Sequence, residues 1–215
     1  MKNPLLVCML GLALIAGTLV ASAASAGVAK THDGLFVRVA LGAGSGSAKI
    51  SPPGGSLEFS GTAGDVNLAI GGSVNENLAV HATLWGWSVS DPTVDLTLTG
   101  LGTGSGTADG ATVTMGAFGV GATYFFMPMN AYVSGSLGLG SLTLSDDSLG
   151  LDANSGTGFA MDLTVGKEWW AGQNFGIGLS GDVTYFSAKD SADLLDTTEN
   201  WSGPGFGLRV SATFN

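Results

Sequence analysis

Cysteine is nearly missing from this chain: its single thiol, Cys8, lies among the first residues, inside an apolar run. That excludes a disulfide scaffold and a thiolate metal centre. Charge is scarce too, at 11% of residues, and positive charge scarcest, with 7 Lys and Arg against 17 Asp and Glu. A net charge of -10 argues against a nucleic-acid partner, which needs a basic face, and against electrostatic docking on anionic lipid. His32 and His81 are the only histidines, so nitrogen-ligated metal chemistry has almost nothing to build on. Beyond Ala26 no apolar run approaches the roughly 18 residues of a helical membrane span. Disordered Gly-rich chains are short of hydrophobes, whereas this one combines 36 glycines with 45% hydrophobic residues. The hydropathy must therefore be spread over alternate residues, and in lipid only a closed sheet carries that pattern.

The N-terminus reads MKNPLLVCMLGLALIAGTLVASAASA. Lys2 supplies a positive n-region, Leu5 to Val20 an apolar h-region and Ala24-Ser25-Ala26 a small-residue cleavage site. Residues 1–26 are expected to be a cleaved secretory signal peptide, with cutting before Gly27. An uncleaved anchor would call for a longer run flanked by positive charge.

The stretch Phe118 to Leu144 carries the clearest pattern. Phe118, Val120, Ala122, Tyr124 and Phe126 alternate with Gly119, Gly121, Thr123 and Phe125, Met127 to Asn130 form a turn, and Ala131, Val133, Gly135, Leu137 and Leu139 return. Pairing Phe126 with Ala131 sets Tyr124 opposite Val133 and Val120 opposite Leu137, so the period of two stays in phase. Similar alternation begins near Gly34, Asp65, Leu78, Phe159, Ile177 and Phe206. Ser45 to Gly61, with Pro52-Pro53-Gly54-Gly55, reads as a loop. Residues 93–99 also alternate, but counting them among the membrane strands gives an odd total. They are better read as a strand extension or hairpin above the membrane.

Eight strands result over residues 27–215, joined by four long loops and three short turns. Long extracellular loops alternating with short periplasmic turns fit an all-β, eight-stranded antiparallel up-and-down transmembrane barrel. A soluble barrel or sandwich would show polar residues outward. Here the second face is mostly Gly, Ala, Ser and Thr, suited to a narrow lumen.

Arg38, Asp65, Asp162, Asp182 and Arg209 all fall on the inward parity of their strands. Pairing Trp169 with Phe175 would set Asp162 directly opposite Asp182, requiring a proton or a cation between them. Arg209 on the next strand is the obvious cation, with Arg38 beside it across the closure. Such a network fills a narrow interior, or serves as a gate or cation site. Tyr124, Phe126, Trp169, Trp170 and Phe214 toward the periplasmic rim, with Tyr185 and Trp201 toward the outer rim, read as an aromatic girdle. Trp85 and Trp87 have inward parity and would plug the upper lumen. His81 reads as a satisfied interior histidine and His32 as part of a polar lead-in. The acidic loops hold no D-x-D-x-D-G calcium motif, and Gly100 to Gly110 lacks the Lys of a phosphate loop. No catalytic residue, metal or cofactor is assigned.

The terminal alternation Phe206 to Phe214 resembles the C-terminal signal read by the outer-membrane assembly machinery, with Asn215 following the aromatic. Nearly all of the mature chain resembles, in pattern, the small outer-membrane β-barrel superfamily that includes the OmpA transmembrane domain and the OmpX- and OmpW-like proteins. No motif specifies a subfamily. The resemblance implies a bacterial outer-membrane location, outer-membrane lipids as surroundings and the barrel assembly machinery as a partner in biogenesis. It leaves open a structural or surface-interaction role with a filled lumen, OmpW-like passage of small hydrophobic compounds, or lipid A modification. The last uses a His with a nearby Ser, Asp or Glu, and no such pair with Ser stands out around His81.

Overall fold

A computed structural model describes residues 32–146, 150–189 and 200–214; the expected signal peptide lies outside them. The strands are β1 (Leu35–Ile50), β2 (Gly55–Asn75), β3 (Leu78–Ser90), β4 (Thr93–Leu98), β5 (Gly102–Thr107), β6 (Ala111–Phe126), β7 (Ala131–Asp146), β8 (Leu151–Asn154), β9 (Gly158–Trp170), β10 (Phe175–Lys189) and β11 (Asn200–Phe214). Every pairing is antiparallel, and β1 pairs with both β2 and β11, so the order β1-β11-β10-β9-β7-β6-β3-β2 closes on itself. Eight strands form the barrel wall. The hairpin β4–β5 instead extends the sheet from the upper part of β2, with Glu58 opposite Asp95, and β8 pairs with the upper part of β7.

The opening hairpin has the expected register: Phe126 pairs with Ala131, Tyr124 with Val133 and Val120 with Leu137. Asn130 closes its turn at a φ of 53°, a backbone region that Asn tolerates. Ile70 also pairs with Ala82 as expected, but at the turn Leu78 pairs with Asn75 rather than Val74, because a bulge intervenes. Between β9 and β10 the register differs by two residues. Trp169 pairs with Ile177, and the backbone N–H groups of Ala171 and Gly172 both donate to the Phe175 carbonyl, drawing Phe175 into the turn. A shift of two keeps every side chain on its expected face.

The main departure is vertical. Ser45 to Gly61 is not a loop: β1 continues to Ile50, β2 starts at Gly55, and only the Pro-Pro-Gly tip turns. Along β1 the outward residues Leu35, Val37, Val39, Leu41 and Ala43 give way to Ser45, Ser47 and Lys49. Inward, Ala48 and Ile50 are fully buried. The same exchange occurs on the other strands, where Ser88, Thr112, Thr143 and Ser187 face outward while Val89, Val113, Leu142 and Phe186 are buried. A strand segment as long as Leu35 to Ala43, tilted as barrel strands are, rises roughly 20–25 Å, the height of an apolar membrane band. Inside that band the exterior is Leu, Val, Phe and Ile at high exposure: Val120 is 68% and Leu208 75% exposed. Burying apolar side chains within a sheet stabilises it in water; displaying them all round requires lipid. Above the band the outer face meets water, and the chain reverts to polar outside and apolar inside.

Candidate functional site

The lumen is filled in three layers. Lowest, at the short turns, Phe36, Phe125 and Tyr132 are buried, and His32 stacks on Phe125 with ring centroids 3.5 Å apart. His32 is thus no solvated lead-in. It is fully buried, its Nε2 lies 2.8 Å from Asn130 Oδ1, and Trp170 covers it at 5.0 Å.

Arg38 belongs to this lower layer. Its guanidinium lies over the Tyr132 ring at 4.7 Å and the Phe36 ring at 5.4 Å. Its Nη2 donates to Ser134 Oγ at 2.9 Å and Thr123 Oγ1 at 3.2 Å. The expected neighbourhood with Arg209 is therefore not formed, since Arg209 is registered on Gly42 and Arg38 on Thr213. His81 has both ring nitrogens against hydroxyls, Nδ1 2.7 Å from Thr83 Oγ1 and Nε2 3.0 Å from Thr123 Oγ1. Thr123 in turn meets Ser134 at 2.9 Å, giving a hydroxyl relay that no sequence spacing revealed. Glu168, whose Oε1 accepts from the Thr213 hydroxyl at 2.5 Å, is a further buried inward charge. It lies near the end of β9 and shares the inward parity of Asp162.

The middle layer gathers Asp65, Asp162, Asp182 and Arg209 from β2, β9, β10 and β11. Arg209 engages Asp65 with two N–H groups, the Nη2 bond to Oδ2 measuring 3.1 Å. Its Nη1 and Nη2 both lie 3.0 Å from Asp162 Oδ1, and Nη1 reaches Thr164 Oγ1 at 3.3 Å. Asp162 Oδ2 also accepts from Asn67 Nδ2 at 3.3 Å and Thr164 Oγ1 at 3.0 Å. Asp182 Oδ2 stands 3.2 Å from Arg209 Nη2 as an ion pair, and neither of its oxygens accepts a hydrogen bond. The expected facing of Asp162 and Asp182 is not formed, because the two-residue register difference sets Asp162 opposite Thr184 and Asp182 opposite Thr164. All four charged side chains are at most 5% exposed. Multiple hydrogen bonds to one planar guanidinium offset the desolvation that such burial costs.

The upper layer is an apolar core of Trp85, Trp87, Met115, Phe186, Val89 and Trp201 with their neighbours. The two tryptophans do plug the upper lumen. Two residues assigned to the girdle turn the other way. Trp201 is 6% exposed and packs against Phe59 at 5.9 Å, and Trp170 faces His32. Both have inward parity, which decides their direction over closeness to a strand end. Tyr124, Phe126, Trp169, Tyr185 and Phe214 face outward at 37–50% exposure. Lys167 Nζ lies 5.7 Å from the Trp169 ring and bonds the Met129 carbonyl, so its stem runs along the rim. Among the described residues no group of three or more His, Cys, Asp or Glu is arranged to hold a metal ion.

No protein-family model and no curated protein matches the chain. Solved structures do. Neisserial surface protein A (NspA) is 15% identical with a TM-score of 0.51, covering 85% of this chain and 99% of its own. Outer membrane protein OprG from Pseudomonas aeruginosa is 13% identical (TM-score 0.41; 86% and 97% covered). Ail, the attachment invasion locus protein of Yersinia pestis, is 13% identical (TM-score 0.42; 84% and 99% covered). The likeness to NspA concerns the fold alone, a closed antiparallel β-barrel.

Proposed function

We propose that this chain resides in the bacterial outer membrane as a structural or surface-interaction protein whose barrel is an anchor rather than a pore. The observation that carries the reading is the filled lumen: an aromatic plug, a buried ionic cluster and an apolar core stacked in series. What the barrel displays supports the surface role. The sheet rises above the apolar band and carries the β4–β5 hairpin, where Leu96, Leu98 and Leu101 are 42%, 41% and 85% exposed. Export through the signal peptide and recognition of Phe206 to Phe214 by the barrel assembly machinery belong to the same reading. His81 supports no lipid A chemistry, since it is buried at the periplasmic end with both nitrogens engaged by hydroxyls. Passage of small hydrophobic compounds would require Trp85, Trp87 and Phe186 to leave the upper core. Planar-bilayer recording of the refolded protein tests the proposal: a flat trace is expected, and regular conductance steps would overturn it.

A further inference from the structure

The middle of the lumen holds three carboxyl groups and one guanidinium. Asp65, Asp162 and Asp182 face Arg209 alone, and the hydrogen-bonding N–H groups of Arg209 go to Asp65, Asp162 and Thr164. An ionised carboxylate in so dry a place is costly unless something compensates it. Asp182, with a side chain 0% exposed, accepts no hydrogen bond at either oxygen. One inward position further along β10, the Thr184 hydroxyl is equally buried and equally without a hydrogen-bond partner.

Both groups lean over the same strip of β11. A Cβ on Gly207 would lie 2.6 Å from Asp182 Oδ1, and one on Gly205 would lie 2.5 Å from Thr184 Oγ1. The register places Gly207 opposite Asp182 and Gly205 opposite Thr184. Asp182 Oδ1 and Thr184 Oγ1, neither in a hydrogen bond, thus pack directly against a strip where the facing strand has no side chains. The Trp87 Nε1–H lies at the upper end, 2.9 Å from the position of a Gly205 Cβ, and as a donor it bounds the site from above.

We propose that the lumen binds a hard monovalent cation of the sodium class between Asp182 and Thr184, over Gly205 and Gly207. Oxygen donors of this kind suit hard cations. A divalent ion is disfavoured, because calcium takes six to eight oxygens, usually several of them carboxylate, while this site has one carboxylate, itself ion-paired to a guanidinium 3.2 Å away. The site does not depend on the surface role proposed above. Both ends of the lumen are closed, so the ion is taken up during folding.

The test refolds the protein into detergent separately in sodium chloride and in tetramethylammonium chloride at equal ionic strength. The urea midpoint is then measured as a function of salt. Sodium is expected to raise the midpoint of the wild type beyond the organic cation, and Asp182→Asn to lose the difference. Wild type refolded in thallium(I) nitrate is expected to show one bound ion by thallium NMR, and to lose it when sodium nitrate is present in excess during refolding. Should D182N fail to fold, Thr184→Val keeps the carboxylate and removes one ligand. It should raise the sodium concentration for half the effect roughly tenfold. Identical responses to the two salts, a D182N barrel that keeps the sodium response, or no bound thallium would overturn the proposal, leaving water alone in the strip. So would an infrared band of a neutral carboxyl group present in the wild type and absent from D182N, since a proton would then do the compensating.

Discussion

Asp65 and Arg209 meet across a single glycine: Gly42 is registered on both of them, on β2 to one side and β11 to the other. The ion pair therefore staples the seam at which the first and last strands close the barrel. Gly42 makes this possible, because a Cβ there would lie 2.9 Å from Arg209 Cγ and 2.3 Å from the Leu208 carbonyl oxygen. Replacing Arg209 with Met leaves three buried carboxylates without their cation. It should cost roughly 3–5 kcal/mol in reversible urea unfolding. A double-mutant cycle of Asp65→Asn with Arg209→Gln should show a coupling of about 1 kcal/mol or more. Additive effects would mean that the seam is held by backbone pairing alone.

The exchange of outward character on β6 makes a depth prediction. Val120 faces outward in the middle of the apolar band, whereas Thr112 faces outward above it on the same strand. Val120→Arg should destabilise the barrel in phospholipid by about 2–4 kcal/mol, and Thr112→Arg by no more than about 0.5 kcal/mol. Equal penalties would show that the band extends higher than Ala43 and Phe118.

Trp169 is half exposed at the rim while Trp85, Trp87 and Trp201 are buried in the lumen and Trp170 covers His32. Single-tryptophan variants, with the other four changed to Phe, should differ sharply in brominated lipid. Trp169 should be quenched strongly and Trp85, Trp87 and Trp201 hardly at all. Strong quenching of Trp201 would return it to the girdle and remove its packing on Phe59.

Much of this was legible because a barrel strand writes its two faces at a fixed period, and the Phe118–Leu144 hairpin keeps one register from end to end. The inward parity of the five network charges could be read off the same way. What could not be read was height. Ala48, Ile50, Leu57 and Phe59 kept the alternation through the supposed loop with its polarity reversed. A reading that equated apolar with outward saw only Pro, Gly and Ser there. Distance across the bore was hidden too: period and parity place Arg38 and Arg209 on one wall, but nothing local shows that Arg38 serves hydroxyls while Arg209 serves carboxylates. Turn geometry was the third gap. Drawing Phe175 into the β9–β10 turn costs the sequence pattern nothing, yet it parts Asp162 from Asp182.

The layers of the lumen act in series, which fixes how conductance should respond to truncation. Trp87 and Met115 are at most 3% exposed in the upper core, and either change to Ala should cost about 2–5 kcal/mol through the cavity it leaves. Trimming Trp85, Trp87 and Phe186 together would open the upper bore. Beneath it the Arg209 cluster and the Phe36, Phe125 and Tyr132 layer still span the interior. Bilayers holding that triple variant should therefore stay silent. Adding Phe125→Ala and Tyr132→Ala thins the lower layer as well, and brief, voltage-dependent openings are expected from that barrel alone. Steady current through the triple variant would place the whole barrier in the apolar core and make the lower layers mere packing.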